Sequence, residues 1–278
     1  MAITLKRDTA RLSIVTLRPF IQDADPAAVT IAVLGADGPG PLEAMLAETF
    51  ETQSIDVETA LPDSVADEFD TTDGDIAVLL EDGVPLATSS MADLYDALLA
   101  INSDLFVTGV RGLGDIELPD VLASLEDTRL RLRGYPLAHK EKLLLILVSR
   151  HIEQLAWSAG RGTLRSSFQQ LSRIDDELGT REVYDTLSAT DVDVHVYGVD
   201  DGTTVDFDVT VHSGTEPVYR DGWFVVHRPE GMNPERRTKD VEAAALVCLE
   251  TEPRVWDGFW TTDCDRVAAI DEAIGRDL

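Results

Sequence analysis

Cysteine is almost absent. The 278 residues include two, Cys248 and Cys264, and neither sits in a CxxC or at metal-ligand spacing. A disulfide framework is therefore excluded, and a reducing compartment is expected. Long apolar runs are also missing. The longest aliphatic stretch, Leu143 to Val148, spans six residues, whereas a helix that crosses a bilayer needs about 20. The N-terminus lacks the apolar core of a signal peptide, so the expected location is the cytoplasm. Lysine is scarce too: Lys6, Lys140, Lys142 and Lys239 are all there are. From Pro19 to Val110 no Lys or Arg occurs, although that stretch holds 19 carboxylates, 13 Asp and 6 Glu.

What is abundant is acid. There are 52 Asp+Glu against 23 Lys+Arg, for a net charge of −29 and a pI near 4.3. Duplex nucleic acid is a poor partner for such a surface, because binding there rests on cations that neutralise phosphates. An anionic membrane surface is disfavoured for the same reason. The acid is mostly Asp, 33 against 19 Glu, and the excess runs the whole length of the chain. At low salt such a surface repels itself, and concentrated cations would screen it. The composition thus points to a halophilic protein in a salt-rich cytoplasm. Hydrophobic residues make up 44%, enough for a packed core in one large domain or two small ones.

The pattern along the chain predicts an α/β fold: a mixed sheet, antiparallel hairpins in the C-terminal half, and flanking helices. A short amphipathic helix is expected at residues 7–20. Val29–Leu34 reads as a buried strand ending at the turn Gly35–Gly40, with a helix over Pro41–Phe50. Ile76–Leu80 and Val84–Ala87 form a hairpin through Glu81-Asp82-Gly83, and Met91–Ile101 is helical. A long helix runs over His139–Gly160 and another over Asp175–Ala189. Strands follow at Val192–Tyr197, Val205–His212 and Trp223–His227, expected to pair as antiparallel hairpins, with the parallel portion in the first hundred residues. A strand at Ala244–Glu250, the aromatic segment Trp256–Trp260 and a helix at Asp265–Ile274 complete the order. Two regions are expected: an α/β segment at 1–134, and a second region at 135–278 that could also form one continuous domain with it. The second holds 12 of the 17 aromatics, including all four Trp. Between Arg129 and Arg173 nine Lys/Arg meet two acids, a local excess of +7 that suits an acidic partner.

Motifs of known chemistry are few. Gly35–Gly40 lacks the Lys of a phosphate-binding loop, and Pro39 removes a donor, so a plain strand–helix turn is the better reading. His195 and His212 share a polar sheet face with Asp193, which could hold a metal but reads better as solvated. His227 has the parity of Trp223 and Val225 and stands apart. No nucleophile motif occurs, so no catalytic residue, metal ligand or known cofactor is assigned, and the chain is not expected to be an enzyme. The most pointed feature is Arg150, Glu153 and Trp157, spaced i, i+3 and i+7 on one helix. A guanidinium, a carboxylate and an indole on one face could grip a polar or planar ligand, or could simply form an ion pair over a buried Trp.

The blocks "SRHIEQLAW…GRGTLRSSFQQLSR", "TREVYDTLSATDVDVHVYG", "WFVV" and "VWDGFWTTDCDRV" resemble the DICT domain, a sensory module of diguanylate cyclases and two-component systems with haloarchaeal versions. The likeness covers about Ser149 to Val267, and the α/β segment before it is similar to the variable front half of the haloarchaeal type. It implies a sensor that binds a small ligand and modulates a signalling protein: a histidine kinase, a cyclase or a transcription regulator. No output segment follows the last helix, so that partner is expected to be a separate chain. The ligand-binding candidates carried over are Arg150, Glu153, Trp157, Phe168, Gln169, Ser172, Tyr184, His195, Tyr197, Trp223, Trp256, Phe259 and Trp260. A pure protein–protein interaction module is the alternative, and an enzyme with an unrecognised site is third.

Overall fold

A computed structural model describes residues 17–24, 29–35, 46–47, 50, 55–58, 69, 74–100, 113–115, 117–133, 141–176, 178–232 and 242–278. The expected helix at 7–20 as far as residue 16, the turn at 36–40 and most of the helix at 41–50 lie outside the described residues.

Two mixed sheets form the α/β framework. The first has four strands in the order β2-β1-β3-β4: β1 (Val29–Leu34), β2 (Ile55–Glu58), β3 (Ile76–Glu81) and β4 (Val84–Ser90). The apolar run of β1 is central, parallel to β2 and antiparallel to β3. Asp82 and Gly83 both take positive φ, 50° and 79°, the geometry that a two-residue hairpin turn of matching twist requires. Helix α1 (Met91–Ala100) follows β4 directly.

The second sheet has seven strands in the order β5-β11-β10-β9-β6-β7-β8. They are β5 (Leu130–Arg133), β6 (Arg161–Gln170), β7 (Asp191–Val199), β8 (Thr210–Ser213), β9 (Gly222–Arg228), β10 (Ala244–Glu252) and β11 (Val255–Thr261). Short helix α2 (Asp120–Ala123) precedes β5. The long helix α3 (Glu141–Ala159) leads into β6, and α4 (Arg173–Asp176) and α5 (Leu178–Ser188) carry the chain from β6 to β7. The five-residue α6 (Pro217–Asp221) precedes β9. Helix α7 (Cys264–Asp277) closes the fold, with Asp263 capping its N-terminus by accepting from the Arg266 N–H at 2.9 Å.

Both faces of this sheet are covered, which is why β10 is apolar without alternation from Ala244 to Leu249. Leu144, Val148 and Ile152 of α3 and Tyr184 and Leu187 of α5 pack on one face, in a cluster that continues to Val29, Ile31 and Leu79 of the first sheet. Val267, Ile270 and Ile274 of α7 and Val218 of α6 pack on the other face. Strand β5 falls before residue 134 yet pairs with β11, so the second sheet draws on both sequence regions.

The antiparallel hairpins expected across 192–228 are corrected. β7 is parallel to both β6 and β8, and β9 lies beyond β6. Residues 200–209 are a crossover rather than a hairpin and strand. Their apolar residues Val205, Phe207 and Val209 pack on the core from the side. Arg181 of α5 lies 5.1 Å over the Phe207 ring and pairs with Asp206 at 2.7 Å, tying the crossover to the helix. Parallel neighbours need such a connection. The antiparallel pairs of this half are β6/β9, β9/β10, β10/β11 and β11/β5.

Candidate functional site, a cavity between two helices and the sheet

Strand β6 begins at Gly160 and Gly162, which stop α3 and take positive φ of 65° and 115°. At Gly162 the left-handed backbone is matched by crowding: a Cβ would meet the Arg228 carbonyl oxygen at 2.6 Å. From there the alternation of β6 sends Leu164, Ser166 and Phe168 toward α3 and α5, while Arg165 turns to Asp271 of α7 and the Ser167 hydroxyl bonds the Gly222 carbonyl and the Phe224 N–H of β9. The strand then departs from regularity. Gln169 has φ +56°, and the register with β7 jumps from Ser167↔Tyr197 to Gln170↔Val199, three residues against two. This bulge lets the consecutive residues Phe168 and Gln169 line one space, which a regular strand forbids.

That space is a cavity of about 90 Å³. An ordered water needs about 10–15 Å³ of such space, so the volume admits several waters or one small organic molecule. Ile146, Phe168, Trp223 and Val225 give it apolar walls, and Arg150, Glu153, Ser166, Gln169, Arg173 and Tyr184 supply polar groups. Arg150 donates to Glu153 at 2.6 Å and to the Thr180 hydroxyl at 2.6 Å, and Tyr184 donates to the other Glu153 oxygen at 2.9 Å. Burial first, and the Glu153 carboxylate second, push the Tyr184 phenol well above its ordinary range, so it stays a donor. The Phe168 ring stands edge-on to Tyr184 at 5.2 Å. The Trp223 indole N–H donates to the Ser149 hydroxyl at 3.2 Å, and Ser149 in turn donates to the Leu145 carbonyl.

Two groups of the lining stand out. Ser166 is 1% exposed, and its hydroxyl lies near the Tyr184 phenol without forming a well-aligned hydrogen bond. A buried polar group without a well-formed bond is costly, which makes it a natural contact for something in the cavity. Arg173, at the exposed edge, donates to the neutral Gln169 side chain and has no carboxylate partner among the described residues. The Gln169 amide is itself anchored on the Gly222 carbonyl at 2.9 Å.

Six of the thirteen expected residues therefore meet: Arg150, Glu153, Phe168, Gln169, Tyr184 and Trp223. Trp256 stands behind Trp223, ring edge to face at 6.4 Å. The other six lie elsewhere. Trp157 is seven residues along α3 from Arg150, roughly 10 Å at 1.5 Å per residue. It is 38% exposed, and its ring lies over Gly114, where a Cβ would meet it at 3.4 Å. The Ser172 N–H donates to Asp201, whose carboxyl the Ser172 contacts hold down at about 2. Trp260 is buried in the core cluster beneath α3. Phe259 faces α7 under Arg266, which sits 4.5 Å over its ring.

His195 and Tyr197 belong to the opposite face of the sheet. His195 Nδ1 lies 2.9 Å from His212 Nε2, and its Nε2 lies 3.0 Å from Asp193. Tyr197 stacks on His212 at 4.4 Å and accepts from Arg165 at 2.7 Å. Asp193 and His212 thus bind different nitrogens of His195. No group of three metal-ligating side chains occurs among the described residues. His227 keeps the parity expected of it, wholly buried on the cavity side of β9.

The sequence reading passed over Ser166, Arg173 and Thr180. The first two stand inside the block GRGTLRSSFQQLSR, and alternation counted from Leu164 would have placed Ser166 beside Phe168.

No family model, curated protein or solved structure matches the chain. No helix among the described residues is long and apolar enough to cross a membrane.

Proposed function

We propose that the protein is a cytoplasmic sensory module that takes up a small molecule in the cavity between α3, α5, β6 and β9 and passes its occupancy to a separate signalling partner. The observation that carries this is the lining itself, in which the buried Ser166 hydroxyl lies near the Tyr184 phenol without a well-formed hydrogen bond and faces the cavity beside Arg150, Glu153 and Gln169. The surrounding Arg150–Glu153–Tyr184 network spans both helices, so an occupant would touch the groups that hold α3 to α5. The resemblance of these blocks to the DICT module supports the same reading. A docking surface alone is the weaker reading, because the arginines that would form it are engaged within the chain. Arg129 pairs with Asp257 at 3.2 Å and Arg131 with Glu252 at 2.7 Å.

The test is made on protein purified from a high-potassium host without refolding. It is denatured, and released compounds are identified by mass spectrometry, while native protein is melted against a metabolite and nucleotide panel. A stoichiometric compound, or a raised melting temperature, is the expected result. A ligand at about a hundred times its Kd stabilises by about 2.7 kcal/mol. An empty protein with no shift across the panel would transfer the assignment to the interaction module.

A further inference from the structure

The lining of this cavity also defines the charge of what fits it, an inference that rests on the sensory reading above. Arg150 and Arg173 face one carboxylate, Glu153, and Glu153 is committed to Arg150 and Tyr184. One positive charge is left over at the cavity edge, in a chain whose net charge is −29. The side-chain partner of Arg173 is a neutral amide. Arg165, Arg181 and Arg228 all reach carboxylates.

We propose that the cavity takes a small monocarboxylate with an apolar body and one neutral hydrogen-bonding group. The carboxylate meets Arg173 at the mouth, where guanidinium geometry suits two oxygens in one plane. The apolar body lies against Phe168, Val225 and Trp223, and the neutral group reaches Ser166 at the floor. A monoanion balances the site. A second negative charge would face Glu153 uncompensated, and a cation would face Arg173.

Calorimetric titration of the full chain in concentrated potassium chloride tests this with 4-hydroxybenzoate and 2-hydroxyisovalerate, one ring and one branched body, each against its own amide. At least one acid is expected to bind about tenfold or more tightly than its amide, the difference a charge-assisted hydrogen bond makes. Arg173→Gln is expected to bring acid and amide to near parity, and Arg173→Lys to restore part of the gap. Arg173 is exposed, so neither change threatens folding; unaltered melting curves confirm that. Amides that bind as well as the acids, or an unchanged preference in Arg173→Gln, overturn the anion assignment and leave the cavity reading standing. So does a neutral or cationic compound released from the native protein. No binding by any probe, together with an empty extract, overturns the cavity reading itself and this inference with it.

Discussion

On the α7 side of the seven-stranded sheet, Asp271 receives Arg165 at 2.6 Å and Arg228 at 3.0 Å, and Arg165 goes on to Tyr197 at 2.7 Å. On the α3 side, Arg150, Glu153 and Tyr184 build a network of the same kind, but beside it lie an open cavity and a Ser166 hydroxyl without a well-formed bond. His227 on that side leaves Nε2 unbonded. One sheet thus carries a polar network with its acceptors filled on one face, and on the other a network next to space. The first arrangement holds α7 in place. The second pays for its open hydroxyl unless something fills it.

The contrast is broken most forcefully from the closed side. Asp271→Ala would leave Arg165 with the Tyr197 hydroxyl but without its carboxylate, and a loss of about 3–5 kcal/mol is expected in denaturant unfolding. A loss below about 1 kcal/mol would show that α7 is held by its apolar residues alone. Next comes acid. Burial depresses His227 from 6.5 in the free side chain to about 4, so between those values the unfolded chain binds the extra proton. Stability is full above pH 6.5 and falls as pH drops toward 4, by about 3 kcal/mol for this group. Burial depresses His151 in the same direction, opposed in part by Glu242. The stability difference between His227→Leu and the parent should therefore move in the variant's favour across that window, and a constant difference would refute the assignment. Smallest is Ser166→Ala, which removes a hydroxyl without a well-formed bond and should change the stability of empty protein by less than about 1 kcal/mol. A loss above about 2 kcal/mol would mean that Ser166 is well bonded within the fold, and the two faces would then be alike.

The two faces were not equally legible in the sequence. β1, β3 and β10 could be read from their unbroken apolar runs and α3 from its helical period, and the β3–β4 turn could be read from Asp82-Gly83. Arg150 and Glu153 were recognisable as a pair from spacing alone. β6 was not: in RGTLRSSFQQ only Leu164 and Phe168 are apolar, because small serines and an ion-paired arginine do the packing. Without β6 the sequence pattern sets β9 beside β8 in one hairpin series, whereas β6 and β7 stand between them. That pattern also sets His227 apart by parity alone, when a whole intervening strand removes it from His195. Trp157 shows the converse limit. Helical spacing gives an angle around the axis and says little about which neighbours stand at each height.

The bulge at Gln169 carries a consequence for how this site could be lost or gained. Phe168 and Gln169 share the cavity because β6 spends three residues where β7 spends two. Deleting Phe168 or Gln169 would barely alter composition, charge or hydropathy, yet it would restore the strand's phase and leave a single side chain where two now line the space. The cavity is therefore written in a residue count as much as in residue chemistry. Related chains that match this one elsewhere but are one residue shorter in this stretch would have a differently lined cavity.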